Sequence, residues 1–172
     1  GGDTIGRYWQ VNRTSAAYKS ISPFVFDALI ATEDERFMEH SGVDFRSIAR
    51  SFASLGRSGG ASTISQQLAK LLFTIQQRQR EEIARANGES LFIIKGGLIG
   101  KFRRLNEKAR ENIIATRLEA RYTKEEIATM YLNQFDFLYN AVGIENAAKV
   151  YFNKRTNELL KEEAAMLVGM FK

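Results

Sequence analysis

Apolar residues recur along this chain at three- and four-residue intervals, the spacing of one face of an α-helix. Phe26, Leu29, Ile30 and Phe37 fall at i, i+3, i+4 and i+11, which predicts a helix from Pro23 to about His40, ended by Ser41-Gly42. Ser20-Ile21-Ser22-Pro23 marks its start, because the N–H that proline lacks would be unpaired in a first turn anyway. Upstream, residues 4–20 carry Tyr8, Trp9 and Val11 in a short, extended lead-in. A second helix follows Val43, with Phe45, Ile48, Ala49 and Phe52 at helical spacing and Asp44 as its N-cap.

The glycine-rich stretch Gly56 to Gly60 opens a third helix, Ala61 to about Ile75, whose apolar face is Ile64, Leu68, Leu71, Leu72 and Ile75. Residues 76–104 change character: a polar, helix-prone run to Gly88, then the glycine-interrupted apolar run Leu91 to Ile99, then Lys101, Arg103 and Arg104. Phe102 to Tyr122 reads as a long helix with two apolar stripes. One is Phe102, Leu105, Ala109, Ile113 and Thr116; the other is Glu111, Ile114, Ala115 and Leu118. A helix apolar on two sides should be central, with Glu111 partly enclosed. Thr123-Lys124-Glu125-Glu126 is a capping box for a helix through Ile127, Met130, Tyr131 and Leu132. Asn140 to Tyr151 and Glu158 to Met170 complete the set. The pattern predicts a mostly α-helical fold, a single domain over residues 1–172.

Composition narrows the chemistry. With 172 residues, 44% of them hydrophobic, the chain can bury a core of its own. It has no cysteine and one histidine, which excludes thiol catalysis and disulfides and argues against a conventional transition-metal site. The net charge of +5 suits an acidic partner: phosphates, an anionic membrane face or nucleic acid. No apolar run reaches the roughly 18 residues of a spanning helix, and no signal peptide opens the chain. Gly1-Gly2-Asp3 reads as a cut end, so that an anchor or targeting segment could lie outside the sequence.

Three features carry candidate chemistry. Glu33 sits at i+7 on the apolar face of the first helix, and His40 at i+14. A carboxylate in an apolar stripe is out of place, since burial disfavours its charged form, and a general base for neutral pH is made this way. A partly exposed Glu paired with a cation fits the same spacing. His40, just before a turn, reads alone as a helix-end cap. The third helix places Thr63, Gln66, Gln67 and Lys70 on one face behind a glycine loop. That is either an anion cradle at a helix N-terminus or an ordinary amphipathic helix with a solvated face. Leu91 to Ile99, flanked by basic residues, suits a membrane interface and equally a buried loop or lid.

Taken together the motifs resemble the peptidoglycan glycosyltransferases of family 51, the glycan-polymerising domain of class A penicillin-binding proteins. The residues that carry the resemblance are Glu33-Asp34 with Phe37, His40, Gly42 and Asp44; Gly60 to Lys70; Lys108, Glu111, Ala115, Leu118 and Glu119; Tyr131 to Gln134 with Gly143, Ala147, Ala148, Tyr151 and Phe152; and Glu163 to Gly169. The resemblance implies a lysozyme-like helical domain with a larger lobe and a smaller membrane-facing lobe, residues 76–104 bordering the membrane-facing jaw. It implies extension of glycan strands from lipid II at the outer face of the bacterial cytoplasmic membrane. Glu33 matches the general base on the acceptor 4-hydroxyl, and Glu111 the second glutamate, on the donor and leaving-group side. Asp34, Phe37 and His40 match supporting positions. Ser62, Thr63, Gln66, Gln67, Lys70 and Lys108 match positions that hold substrate, largely its phosphates. No cofactor is required, though Mg²⁺ could be held through the substrate diphosphate. The family's transmembrane helix and following transpeptidase domain are missing from the sequence, which therefore reads as an excised piece.

Several residues depart from the family pattern: Glu107 where arginine is usual, Leu71 for asparagine, Ser65 for threonine, and Leu138 for the glycine after Phe137. Leaving-group binding would then be weaker, or shared with Arg103, Arg104 or Arg110. Two other function classes fit parts of the pattern. A lysozyme-like hydrolase or lytic transglycosylase also works through a helix-end glutamate, but has no diphosphate for Lys70 and Lys108 to hold. A non-enzymatic basic module for anionic membrane or nucleic acid is opposed by basic residues that are scattered over many helices and interleaved with glutamates.

Overall fold

A computed structural model of the chain describes residues 15–53, 62–87, 97–139 and 141–171. Among the described residues seven helices follow in order: α1 Pro23–Glu33, α2 Phe45–Ala53, α3 Ile64–Ala86, α4 Gly97–Glu119, α5 Lys124–Gln134, α6 Ile144–Phe152 and α7 Lys161–Gly169, with 3-10 turns at Tyr18–Ser20 and Thr156–Glu158. No strand occurs among the described residues; an isolated antiparallel bridge joins Asp136 to Val142. The helical class expected from the spacing is what the chain adopts.

The long helix α3 packs against both α4 and α5, while α1 packs against α7. Burying the apolar faces of these helices is the main favourable term in the fold. The core holds Leu29 of α1, Ile64 and Leu68 of α3, Ile127, Tyr131 and Leu132 of α5, and Leu167 of α7, all buried. Phe135, Phe137 and Phe171 pack on one another, and Phe135 and Phe171 on Tyr131, with edge-on or tilted rings 4.2 to 5.9 Å apart. Asn133 secures the start of the described chain, since its side chain accepts from the Ala16 N–H and donates to the Ala16 carbonyl, both at 2.9 Å.

Local signals in the sequence are realised where a side chain caps a helix. Thr123 and Glu126 form the reciprocal capping box of α5. Asp44 caps α2, accepting the Arg46 N–H at 3.0 Å and the Ser47 N–H at 3.2 Å, with Arg36 at 3.0 Å on the same carboxylate. Burial works against the charged form of Asp44. The Ser47 hydroxyl and amide, the Arg36 charge and the Arg46 amide outweigh it and hold the pKa below the usual carboxylate value.

Three expectations are corrected. The first helix ends at Glu33, not near His40, because Asp34 leaves the helical conformation (φ −158°, ψ 74°) and turns replace the last two predicted turns. Phe37 is buried nonetheless, delivered by a turn, so a periodicity that spanned i+11 was only partly helical. The third helix runs on past Ile75 to Ala86 through its polar stretch. The two-sided burial expected of α4 is absent, since Leu105 is 70% and Ile113 53% exposed, and only the stripe through Ala115 is buried. A single contact face against α3 is enough to seat α4. The glycine loop 56–60, residues 88–90 and residues 91–96 of the apolar run lie outside the described residues. Of the rest of 76–104, Gln76–Ala86 completes α3 and Gly97–Arg104 begins α4. No described helix is long and apolar enough to cross a membrane.

Gly42 is the tightest point of the turn between α1 and α2. It has φ +98°, and a Cβ there would lie 2.9 Å from the Ala115 backbone of α4. Its carbonyl accepts the Thr63 hydroxyl at 2.6 Å, so the same residue sets the height of α3. Gly42→Ala should therefore lower stability by at least about 2 kcal/mol in urea unfolding, from left-handed strain and the backbone clash together. Asp44→Ala should lose about 1 kcal/mol at pH 7. Because the folded pKa of Asp44 is lowered, its contribution is present above the unfolded value and fades as pH falls through the folded one. The gap between variant and parent melting temperatures should thus close in acid.

Candidate active site

The face of α3 opposite its core stripe meets α4 and α5 around a cavity of about 420 Å³. The wall is divided by chemistry. Ser62, Gln66, Gln67, Lys70 and Thr74 come from the start and outer face of α3, and Lys108 and Glu111 from α4. The opposite wall is apolar: Leu71, Tyr131, Phe135 and, just past the end of α7, Phe171. The size falls in the range of pockets that take a small-molecule ligand.

Lys108 is fixed from two sides. Its Nζ donates to Ser62 Oγ at 3.0 Å and to Glu111 Oε2 at 3.1 Å, the latter an i,i+3 pair along α4. An ammonium has three donors, so a further hydrogen bond remains for a ligand oxygen. Glu111 is largely enclosed, its side chain 16% exposed, in keeping with the enclosure expected of it. Lys70 projects from α3 into the same space and is exposed.

Glu33 reaches this pocket through Gln67. The last residue of α1, it is half-buried, and its Oε2 accepts Gln67 Nε2 at 2.9 Å. The other end of that carboxamide, Oε1, accepts the Tyr131 hydroxyl at 2.7 Å. Burial pushes the Tyr131 phenol far above its usual pKa, and the nearby Glu33 charge adds to the shift, so the hydroxyl keeps its proton. The sequence suggested an apolar stripe around Glu33 or a cationic partner. The structure supplies an amide donor instead.

Asp34, Phe37 and His40 form a second cluster behind the pocket. Asp34 Oδ2 accepts the N–H of Ile64, the first residue of α3, at 3.0 Å and lies 2.9 Å from His40 Nε2. The Gly42 N–H points at His40 Nδ1 at 3.2 Å, so Nδ1 is the acceptor and Nε2 carries the proton given to Asp34. Burial raises the Asp34 pKa above the usual carboxylate value, against the opposing pull of the Ile64 amide, His40 and Lys124. Lys124 bonds the His40 carbonyl at 2.5 Å and Glu119 at 2.8 Å, and stands 4.5 Å above the Phe37 ring. Glu119 in turn accepts the Ser65 hydroxyl of α3 at 2.5 Å. His40 is thus a buried partner of Asp34, not a helix-end cap.

Thr63 and Gln66, two of the expected substrate positions, are buried, and of the two Gln66 also lines the cavity. Thr63 and Gln66 make a reciprocal capping box on α3: the Gln66 N–H donates to Thr63 Oγ1 at 3.1 Å, and the Thr63 N–H to Gln66 Oε1 at 2.9 Å. Gln66 also donates to Asn112 of α4 at 2.7 Å. With Ile64 held by Asp34, the α3 N-terminus has its first amides occupied, and the anion cradle expected there is closed at those positions. Gln67, Lys70, Ser62, Lys108 and Glu111 do come together. Of the departures, Leu71 joins the apolar wall, while Arg110 stands 6.0 Å from the Phe73 ring.

Tyr131, Phe135 and Phe171 were not foreseen as site residues. At helical spacing the first two read as core, and only the Tyr131 hydroxyl distinguished it from Leu132. Phe171 lies at the far end of the chain, where no local signal ties it to α3.

The transglycosylase family model matches residues 1–172. The chain is 35% identical over 173 residues to penicillin-binding protein 1A of Escherichia coli (strain K12), covering 98% of this chain and 17% of that protein. It is 34% identical over 173 residues to penicillin-binding protein 1F of Bacillus subtilis (strain 168), covering 98% and 21%. With penicillin-binding protein 1A of Aquifex aeolicus (strain VF5) it shares 35% over 176 residues, again 98% and 21%. The chain spans about a fifth of the length of these relatives.

The Asp34 cluster generates a direct test. Oδ2 meets both donors and Oδ1 also lies 3.1 Å from His40 Nε2, so an asparagine must set its NH₂ against His40 Nε2–H or, turned round, against both Ile64 N–H and His40. Asp34→Asn should destabilise the fold by about 1–3 kcal/mol at pH 7, read from chemical denaturation.

Proposed function

The chain belongs to the transglycosylase family represented in class A penicillin-binding proteins, and from that membership we propose that it polymerises lipid II into peptidoglycan glycan strands by inverting glycosyl transfer. The observation that carries this reading is the hydrogen bond from Gln67 to Glu33, which ties a carboxylate to a pocket that also holds Lys70, Lys108 and Glu111.

Glu33 takes the proton of the acceptor sugar's 4-hydroxyl. The oxygen then forms its bond to the anomeric carbon of the donor strand from the face opposite the leaving group. The carbon–oxygen bond to the lipid diphosphate breaks, and its electron pair stays on the diphosphate. Lys70 and Lys108 meet that developing charge in a partly enclosed site, where fixed cations act with most effect. Glu111 holds Lys108 on the donor side together with Ser62. Asp34, Phe37 and His40 keep the turn behind Glu33 in register with α3. Among the described residues no three His, Asp or Glu side chains converge to ligate an ion. Where Mg²⁺ takes part, substrate diphosphate oxygens would carry it.

The proposed place of work is the outer face of the bacterial cytoplasmic membrane, with lipid II and the growing strand as partners. A lysozyme-like hydrolase would explain the carboxylates but leave the two lysines without an anion to bind.

Glu33→Gln should lower polymerisation of purified lipid II in detergent by at least about 100-fold while leaving the melting temperature within a few degrees. Glycan strands of undiminished yield from this variant would remove Glu33 as the base. Incubation with finished peptidoglycan distinguishes the hydrolase: strands should stay intact, and shortening would favour the other chemistry.

A further inference from the structure

The chain Tyr131–Gln67–Glu33 has a direction, and that direction matters. A carboxamide has a donor end and an acceptor end of nearly the same shape, so Gln67 could sit either way round. Here its oxygen faces a hydroxyl and its NH₂ faces a carboxylate. We propose that Tyr131 is a positioning residue: its O–H locks the Gln67 carboxamide so that an N–H is aimed at Glu33 Oε2, which holds Glu33 ready to receive a proton on Oε1. This deepens the reading of Glu33 as general base and rests on it.

Reversing Gln67 would turn its oxygen towards Glu33, tolerable only when Glu33 carries a proton to donate. It would also turn the NH₂ to the Tyr131 oxygen and strip the buried phenol O–H of its acceptor, a cost that a residue 1% exposed cannot recover from water. The arrangement seen therefore favours ionised Glu33 before proton transfer. After transfer it gives the new carboxylic acid no acceptor at Gln67, so the proton is turned towards the pocket. It leaves there to the departing diphosphate or to water, and Glu33 is restored.

The other charged and titratable groups about this chain are Lys70 on α3, Lys108 and Glu111 on α4, and Asp34 and His40 directly after Glu33. On α7, which packs against α1, Glu163 is held by Lys154 at 2.8 Å, while Lys161 and Glu162 are exposed. None of them donates to the Gln67 oxygen, which leaves Tyr131 as the group that sets its orientation.

The test is the pH dependence of kcat/KM on lipid II for Tyr131→Phe. Its acid limb should move to higher pH by about half to one unit, and kcat at neutral pH should fall several-fold with KM little changed. Site-specific 3-fluorotyrosine at 131, a stronger donor of nearly the same shape, should move the limb the other way and keeps the test available if the phenylalanine variant unfolds. In a Gln67→Ala background, Tyr131→Phe should add nothing. A limb that stays put while the melting temperature falls would make Tyr131 merely structural, and a shift that survives without Gln67 would exclude the relay. Carbon-13 NMR of the Glu33 carboxyl reports the same shift without turnover. The proposal can therefore fail while Glu33→Gln still abolishes polymerisation, whereas a Glu33→Gln variant of undiminished yield would overturn both, and the NMR shift tells the two failures apart.

Discussion

One buried carboxylate, Asp34, joins the two segments that the site needs side by side. It stops α1 directly after Glu33 and caps the first amide of α3, the helix that carries Gln67 and Lys70. The distance from Glu33 to Gln67 is thus set by a hydrogen bond one residue away. A buried carboxylate with no partner would be costly. Here the Ile64 amide, the His40 ring and the charge of Lys124 offset the cost without abolishing it, which is why burial still prevails in the Asp34 pKa. A buried polar network of this kind, with its members satisfied, specifies geometry. The cluster extends from α1 through α3 to the end of α4 and the start of α5, and so four helices share one polar joint behind the pocket.

The class of the fold was legible in the sequence because helical spacing, Thr123-Glu126 and Asp44 are local signals, each read within a few residues. The failures were also physical. Glu33 to His40 kept its apolar spacing while Asp34 broke the helix for a bond to Ile64, a partner thirty positions away that no local pattern announces. The α4 stripe with Leu105 and Ile113 was real in the sequence and unused in the fold, since burial depends on what arrives opposite a face. In the site, Gln67, Lys70, Lys108 and Glu111 could be named from motif positions. The role of Thr63 and Gln66 as a cap could have been read from Thr-x-x-Gln itself, had the glycine loop not suggested an anion site.

Leu138 shows a departure from the family pattern leaving its mark on the backbone. Leu138, where the resemblance implied a glycine, takes φ +67°, and Tyr139 follows at φ +48°. The turn is held by Phe137 N–H to Ala141 at 2.9 Å and Ala141 N–H to Leu138 at 2.8 Å. Left-handed leucine costs on the order of 1 kcal/mol. The aromatic packing of Phe137 on Phe135 and Phe171 fixes the approach to this turn, and Leu138 conforms to it.

The closed N-terminus of α3 changes how a diphosphate must be met on the proposed reading. A free helix start offers backbone N–H groups that are rigid and already aimed. Here those amides serve the fold, and recognition passes to lysine ammoniums on flexible stems, which lose side-chain entropy when they are fixed. Ser62 and Glu111 reduce that loss for Lys108 by holding it before ligand arrives, whereas Lys70 stands exposed. On that reading Lys108 is the cation positioned in advance. On the proposed reading the pre-positioned cation therefore sits beside Glu111 on α4, and the base, Glu33, is joined to the pocket through Gln67 and, beyond it, Tyr131.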